Sequence, residues 1–212
     1  MGCGKTAQSI ASVVGHMKEL KQASIEVLVV CPKAVTRYWA REAVCVVPED
    51  IPLHIVHYEG KHRAKALRAV RNKHESGILL VISTTNVLQI DAQKLWNGIT
   101  RATAAESHWT RMAIHSDVVS CHVCPVHSDR WDIMVVDEAH TLRQVHSKRF
   151  QSIVTIPYQK CLLLSGTPFN NGATDLTAPC VLMRIDPPVD TWVSHESNTY
   201  KHTLVSPIIA AD

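Results

Sequence analysis

Gly4-Lys5-Thr6 stands directly ahead of Ala7, Ile10, Ala11, Val14, Met17 and Leu20, apolar positions that recur at helical spacing. This juncture constrains the fold more than any other feature of the chain. A helix that opens on Gly-Lys-Thr brings unpaired backbone N–H groups, a lysine ammonium and a threonine hydroxyl to one place, which suits phosphate oxygens and a magnesium ion. Met1-Gly2-Cys3-Gly4-Lys5-Thr6 is only the second half of the Gly-x-x-x-x-Gly-Lys-Thr signature. The small residue at the loop entrance and the strand that carries it are expected ahead of Met1. Alone, the tripeptide is a weak signal, because Gly-Lys-Thr also arises by chance.

The rest of the chain supplies the matching architecture. Apolar runs at Ile25 to Cys31, Leu53 to Tyr58, Ile78 to Ile82, Asp132 to Val136 and Cys161 to Leu164 have the length of strands. Between them lie an amphipathic stretch with Tyr38, Trp39 and Glu42, and a charged helix from Lys61 to His74. Strands alternating with helices predict an α/β fold with a mainly parallel sheet flanked by helices, its first strand missing. The 212 residues suit one domain over 1–188, with an insertion at about 98–130 where periodicity breaks down, and a weakly structured extension over 189–212. Pro179 would interrupt a helix running through its position.

Composition narrows the setting. No apolar run approaches the roughly 20 residues that span a bilayer, and no signal-peptide pattern opens the chain, so membrane insertion and secretion are not expected. Seven cysteines scattered through apolar runs read as buried thiols in a reducing, intracellular compartment. A net charge of +3 is too small to announce a nucleic-acid partner by itself.

The second decisive feature is Ile133-Met134-Val135-Val136-Asp137-Glu138-Ala139-His140. A buried strand delivers two adjacent carboxylates at its carboxyl end, where open α/β sheets bind ligands. An isolated Asp-Glu pair would read as the start of a helix. With Gly-Lys-Thr upstream, Asp137 is expected to hold magnesium and Glu138 to orient the water that attacks a γ-phosphate. A third motif, Leu162-Leu163-Leu164-Ser165-Gly166-Thr167-Pro168, ends another buried strand in a turn whose Ser165 and Thr167 can bond His140 or the carboxylates.

In this order the three motifs resemble the first RecA-like lobe of superfamily-two helicases, and specifically the Swi/Snf-type DNA translocases. Met1 to Gln8 is similar to that family's opening, Cys31-Pro32 to Trp39 and Glu42 to its next block, Ser83-Thr84-Thr85 to a further one, and Thr167 to Asn171 with Asp175-Leu176 to its closing segment. Asp137 to His140 takes the place of the Asp-Glu-Ala-His box. RNA helicases of the Asp-Glu-Ala-Asp type match less well. The resemblance implies ATP and Mg2+ as the bound pair, with Gly2, Cys3, Gly4, Lys5 and Thr6 on the nucleotide, and Thr6 and Asp137 on the metal. It assigns catalysis to Glu138 and Asp137, and coupling to His140, Ser165 and Thr167. Pro32, Lys33, Ser83 and Thr84 become candidates for contact with a duplex DNA backbone, in a nuclear, chromatin or repair setting. It also implies an adenine-recognising motif before Met1 and a second RecA-like lobe bearing an arginine finger, both missing from this chain. Hydrolysis by this chain alone is therefore expected to be nearly absent, as in a partial gene model, a split gene or a decaying paralogue.

Other readings stay open beside this one. The chain could serve as a non-catalytic interaction module, or as a lobe of an RNA helicase. The basic residues from Lys61 to Lys73 read either as a solvated face or as electrostatic attraction for DNA. Trp39 reads as core rather than as a base-stacking platform. Cys121, Cys124 and His127 have the character of zinc ligands, but they crowd into one short segment, whereas tetrahedral zinc takes a second ligand pair held across a loop. The weight of the sequence is against zinc.

Overall fold

A computed structural model describes residues 4–100, 124–167 and 173–185. Met1, Gly2, Cys3 and Cys121, most of the 98–130 segment, Pro168 to Asn171 and the 189–212 extension lie outside the described residues.

Five strands form one all-parallel sheet in the order β2-β3-β1-β4-β5. They are β1 (Ser24–Val30), β2 (Leu53–His57), β3 (Gly77–Ser83), β4 (Trp131–Val136) and β5 (Tyr158–Leu163). The helices are α1 (Lys5–Glu19), α2 (Thr36–Val46), α3 (Arg63–Arg71), α4 (Thr85–Thr100), the single turn α5 (Pro125–Ser128), α6 (Lys148–Val154) and α7 (Thr177–Met183). Every strand anticipated from an apolar run is present, its ends shifted by at most two residues except in β5, which begins three residues earlier, at Tyr158.

Alternation along β1 divides the core into two. Ile25, Val27 and Val29 face α1 and α2 with Ile10, Val13, Trp39 and Ala43, while Leu28 and Val30 face the opposite layer with Leu67, Leu88, Phe150 and Leu182. β3 is buried along its whole length, as a central parallel strand covered on both faces should be. The buried stripe of α1 is Ser9, Ile10, Val13, Val14 and Met17. Ala11 and Leu20, which fit the spacing, are instead exposed, because the contact line drifts round the helix toward Val13.

Three local outcomes go beyond the sequence reading or differ from it. The segment after Ser83, left unassigned from sequence, is α4, whose Leu88, Asp91 and Ala92 are buried. Pro179 does not break α7, since it falls in the first turn, where a missing N–H costs no intrahelical bond. The basic helix is not a uniformly solvated face: Arg63 pairs with Asp91, and Arg71 reaches both Glu26 and Asp129 while lying 4.7 Å over the Trp131 ring. Lys61, Lys65 and Lys73 are the exposed part of that charge.

Gly77, at the start of β3, has φ of +86°, and a Cβ there would meet the Pro52 carbonyl oxygen at 2.0 Å. That carbonyl cannot withdraw without loss, because it accepts the Ile78 N–H at 2.7 Å. Gly77→Ala is expected to lower unfolding free energy by about 3 kcal/mol, from left-handed strain plus a backbone clash. A denaturant midpoint unchanged from wild type would contradict this packing.

Candidate active site

The chain leaves β1 toward β2 on one side of the sheet and leaves β4 toward β5 on the other, so the strand order reverses between these neighbours. Such a switch point opens a crevice at the carboxyl ends of the strands. Asp137 stands there, its backbone N–H donated to the Val30 carbonyl at 2.8 Å.

Gly4 caps α1 in the left-handed conformation, φ +63°, and its carbonyl accepts the Gln8 N–H at 2.9 Å. This directs the chain into the helix with Lys5 and Thr6 in the first turn. Lys5 Nζ lies 3.8 Å from Glu138 Oε1, and a Cβ added to Gly166 would sit 3.9 Å from the same nitrogen. The three motifs, dispersed along the sequence, thus converge on one ammonium group.

Asp137 is held at both carboxylate oxygens. Oδ1 accepts the Glu138 backbone N–H at 2.9 Å, and Oδ2 accepts the Trp39 indole N–H at 3.1 Å. Glu138 itself adopts φ 53° and ψ 47°, a left-handed conformation that costs a non-glycine residue about 1–3 kcal/mol. The surroundings fix it there: the next N–H, of Ala139, bonds the Leu164 carbonyl at 2.8 Å, and the Leu164 N–H bonds the Val136 carbonyl at 2.8 Å. The two carboxylates and the Ser-Gly-Thr turn are therefore tied through main chain.

A side-chain relay runs beside that tie. His140 Nδ1 lies 3.1 Å from Glu138 Oε2 and 3.2 Å from Ser165 Oγ, and Ser165 Oγ accepts the Thr167 backbone N–H at 3.1 Å. Thr167 joins by its main chain, where the sequence pointed to its hydroxyl. Which neighbour His140 Nδ1 favours follows its tautomer: a protonated Nδ1 donates to Glu138, and a bare one accepts from the Ser165 hydroxyl.

Pro32, Lys33, Thr84 and Thr85 line a cleft of about 460 Å³ that reaches Asp137. Ser83 is not presented there; it is buried, and its hydroxyl is donated to the Tyr58 carbonyl at 3.2 Å. Cys31 also lines the cleft, and burial, reinforced by the Asp137 charge, pushes its thiol up to about 12, so it stays neutral.

The Asp137 carboxylate and a threonine hydroxyl such as that of Thr6 are donors of the kind a hard cation such as Mg2+ takes, with phosphates and water completing its shell. Of the zinc candidates, Cys124 donates its S–H to the Asp91 carbonyl at 3.4 Å, and His127 Nε2 lies 3.1 Å from the Ser152 carbonyl. Burial lowers the pKa of His127. Cys121 lies outside the described residues, and among these no group of three or more His, Cys, Asp or Glu is placed to hold a metal ion.

The Trp39 bond to Asp137 was not legible in the sequence, since an apolar helix position gives no sign of a partner 98 residues away. Asp91 was missed too, because the helix that buries it was not anticipated.

Comparison with known proteins places this site in a lineage. A model of the SNF2-related domain matches residues 1–208. The CHD3-type chromatin-remodeling factor PICKLE of Arabidopsis thaliana is 30% identical over 181 residues, which is 83% of this chain and 12% of that protein. The chromatin-remodeling ATPase INO80 of Candida albicans is 25% identical over 178 residues, 84% of this chain and 11% of the relative. The chain thus spans only a small part of the relatives it matches. In fold it is similar to the Sulfolobus solfataricus SWI2/SNF2 ATPase core in complex with dsDNA, at TM-score 0.56 and 22% identity, covering all of this chain and 34% of that one. The chain belongs to the SNF2-related domain family.

Proposed function

We propose that the chain is the ATP-binding lobe of a DNA-dependent ATPase of the chromatin-remodelling kind, working on duplex DNA in the nucleus. The observation that carries this reading is the convergence of Lys5, Glu138 and Gly166 at the carboxyl ends of parallel strands. In this reading the backbone N–H groups that open α1 and the Lys5 ammonium hold the phosphates, and Gly2, Cys3 and Gly4 belong to the same nucleotide-binding segment. Thr6 and Asp137 hold Mg2+, which would neutralise charge developing on the transferred phosphoryl group. Glu138 orients and deprotonates the attacking water, and its backbone conformation aims the carboxylate toward Lys5 rather than along the strand.

His140, Ser165 and Thr167 then carry the nucleotide state from Glu138 to the turn that follows β5. Pro32, Lys33 and Thr84 offer main-chain and side-chain contacts to a DNA backbone, which position a duplex without reading its sequence. A second RecA-like lobe, supplying an arginine across the cleft, completes the proposed machine. Such an arginine is worth roughly 10³ to 10⁵ in rate.

ATP binding by the purified chain, followed by hydrolysis with and without duplex DNA and with a second lobe added, tests the reading. Lys5→Ala is expected to weaken ATP binding by about tenfold or more, since it removes a charge-assisted contact. Binding insensitive to Lys5→Ala would favour an interaction module, and stimulation by RNA rather than duplex DNA would favour an RNA helicase lobe.

A further inference from the structure

We infer that Trp39 is a positioning residue for the metal site, holding the Asp137 carboxylate through its indole N–H; this rests on the reading of Asp137 as a Mg2+ ligand. Trp39 is 1% exposed and packs among Val27, Val29 and Val135, so its bulk alone would mark it as core. Its one polar atom sets it apart. The Nε1–H reaches past the apolar layer to Asp137 Oδ2 at 3.1 Å, linking the early part of α2 to the end of β4.

The geometry of the acceptor gives this bond its consequence. Asp137 Oδ1 is already fixed by the Glu138 N–H, and the indole fixes Oδ2, so the carboxylate plane cannot rotate. Each oxygen accepts one bond and keeps a second lone-pair direction for a cation. Without the indole N–H, Oδ2 is released while Oδ1 stays held by the Glu138 N–H, and the carboxylate is free to turn about that single bond. Groups that orient a metal ligand from behind typically change metal affinity by about 10- to 100-fold when removed. Trp131 provides the internal comparison, because it too is buried and donates its indole N–H, to the Val126 carbonyl at 3.0 Å, on the other face of the sheet.

The test is Mn2+ binding, followed by electron paramagnetic resonance, in the presence of a non-hydrolysable ATP analogue. Trp39→Phe is expected to weaken Mn2+ binding by about 10- to 100-fold while leaving binding of the analogue in EDTA unchanged. Trp131→Phe is expected to leave both unchanged. A folded Trp39→Phe protein with wild-type Mn2+ affinity would overturn the proposal. Asp137→Asn serves to separate the two levels: wild-type Mn2+ affinity in that variant overturns the metal reading itself. Should Trp39→Phe fail to fold, the indole N–H resonance in otherwise intact protein decides the matter. It is expected to move in Asp137→Asn and to broaden when Mn2+ and analogue are added, and a resonance indifferent to both overturns the inference.

Discussion

On the proposed reading, and with the second lobe added, Glu138→Gln is expected to leave ATP bound and to slow DNA-stimulated hydrolysis by about 10²- to 10⁴-fold, the range associated with loss of a positioned general base. The substitution keeps size and backbone, so the tie between Ala139 and Leu164 persists and the fold should be unaffected. What is lost is a carboxylate whose Oε1 lies 3.8 Å from Lys5 Nζ and whose Oε2 lies 3.1 Å from His140 Nδ1. Removing that charge also takes away an ion-pair partner of Lys5 and leaves the ammonium free for phosphate, so ATP affinity is expected to hold or rise. Phosphate release and nucleotide retention, measured on the same preparation, separate this outcome from general damage. An equal fall in both would mean that Glu138 shapes the loop instead of activating water. Lys5→Ala is expected to give the opposite signature, with binding lost first.

That contrast depends on residues whose placement the sequence revealed unevenly. The convergence of Lys5 with Glu138 was legible because two carboxylates at the end of an apolar strand follow a Gly-Lys-Thr helix start, and parallel α/β packing brings such strand ends and helix starts together. The strands were legible from their apolar runs: cover on both faces forces near-continuous apolar sequence, interrupted only by Glu26 in Ile25 to Cys31 and unbroken in Ile78 to Ile82. The start of α4 was left unassigned, since Thr84, Thr85 and Asn86 are polar and the buried Leu88, Asp91 and Ala92 are too sparse to announce a helix. Ser83 became a DNA-backbone candidate from its motif, yet at the end of the fully covered β3 it is buried and its hydroxyl is donated to the Tyr58 carbonyl. Arg63 and Arg71 could not be told from their lysine neighbours, because an ion pair depends on which distant element arrives opposite. Sequence periodicity fixes faces of elements; it carries no information about which polar atom meets which across the core.

Asp91→Ala follows from one such meeting and is expected to be the most destabilising single change at the cleft wall. Asp91 is 2% exposed and accepts the Tyr58 hydroxyl at 2.9 Å and Arg63 Nε at 3.0 Å, with a second Arg63 nitrogen on its other oxygen and Lys94 at 3.7 Å. The Arg63 guanidinium lies 5.7 Å over the Tyr58 ring, and its side chain is only 11% exposed, so it cannot simply turn to water. Deleting the carboxylate leaves that cation and the Tyr58 hydroxyl without their acceptor in a largely desolvated place, a loss of about 3–5 kcal/mol. Urea unfolding should show the midpoint fall with an unchanged slope, because compactness of the end states is not altered. Arg63→Met combined with Asp91→Leu is expected to recover much of the loss, since replacing both partners removes the stranded charge and keeps apolar volume. A single-variant loss below about 1 kcal/mol, the range of exposed pairs, would mean that Arg63 has found water and that the pair does not brace the wall. If the brace is real, its cost reaches beyond stability: it joins the end of β2, α3 and α4, which flank the cleft through Glu59, Gly60 and Thr84 to Val87. Asp91→Ala should therefore weaken duplex binding at temperatures where the protein is still folded, with metal-free ATP affinity unchanged.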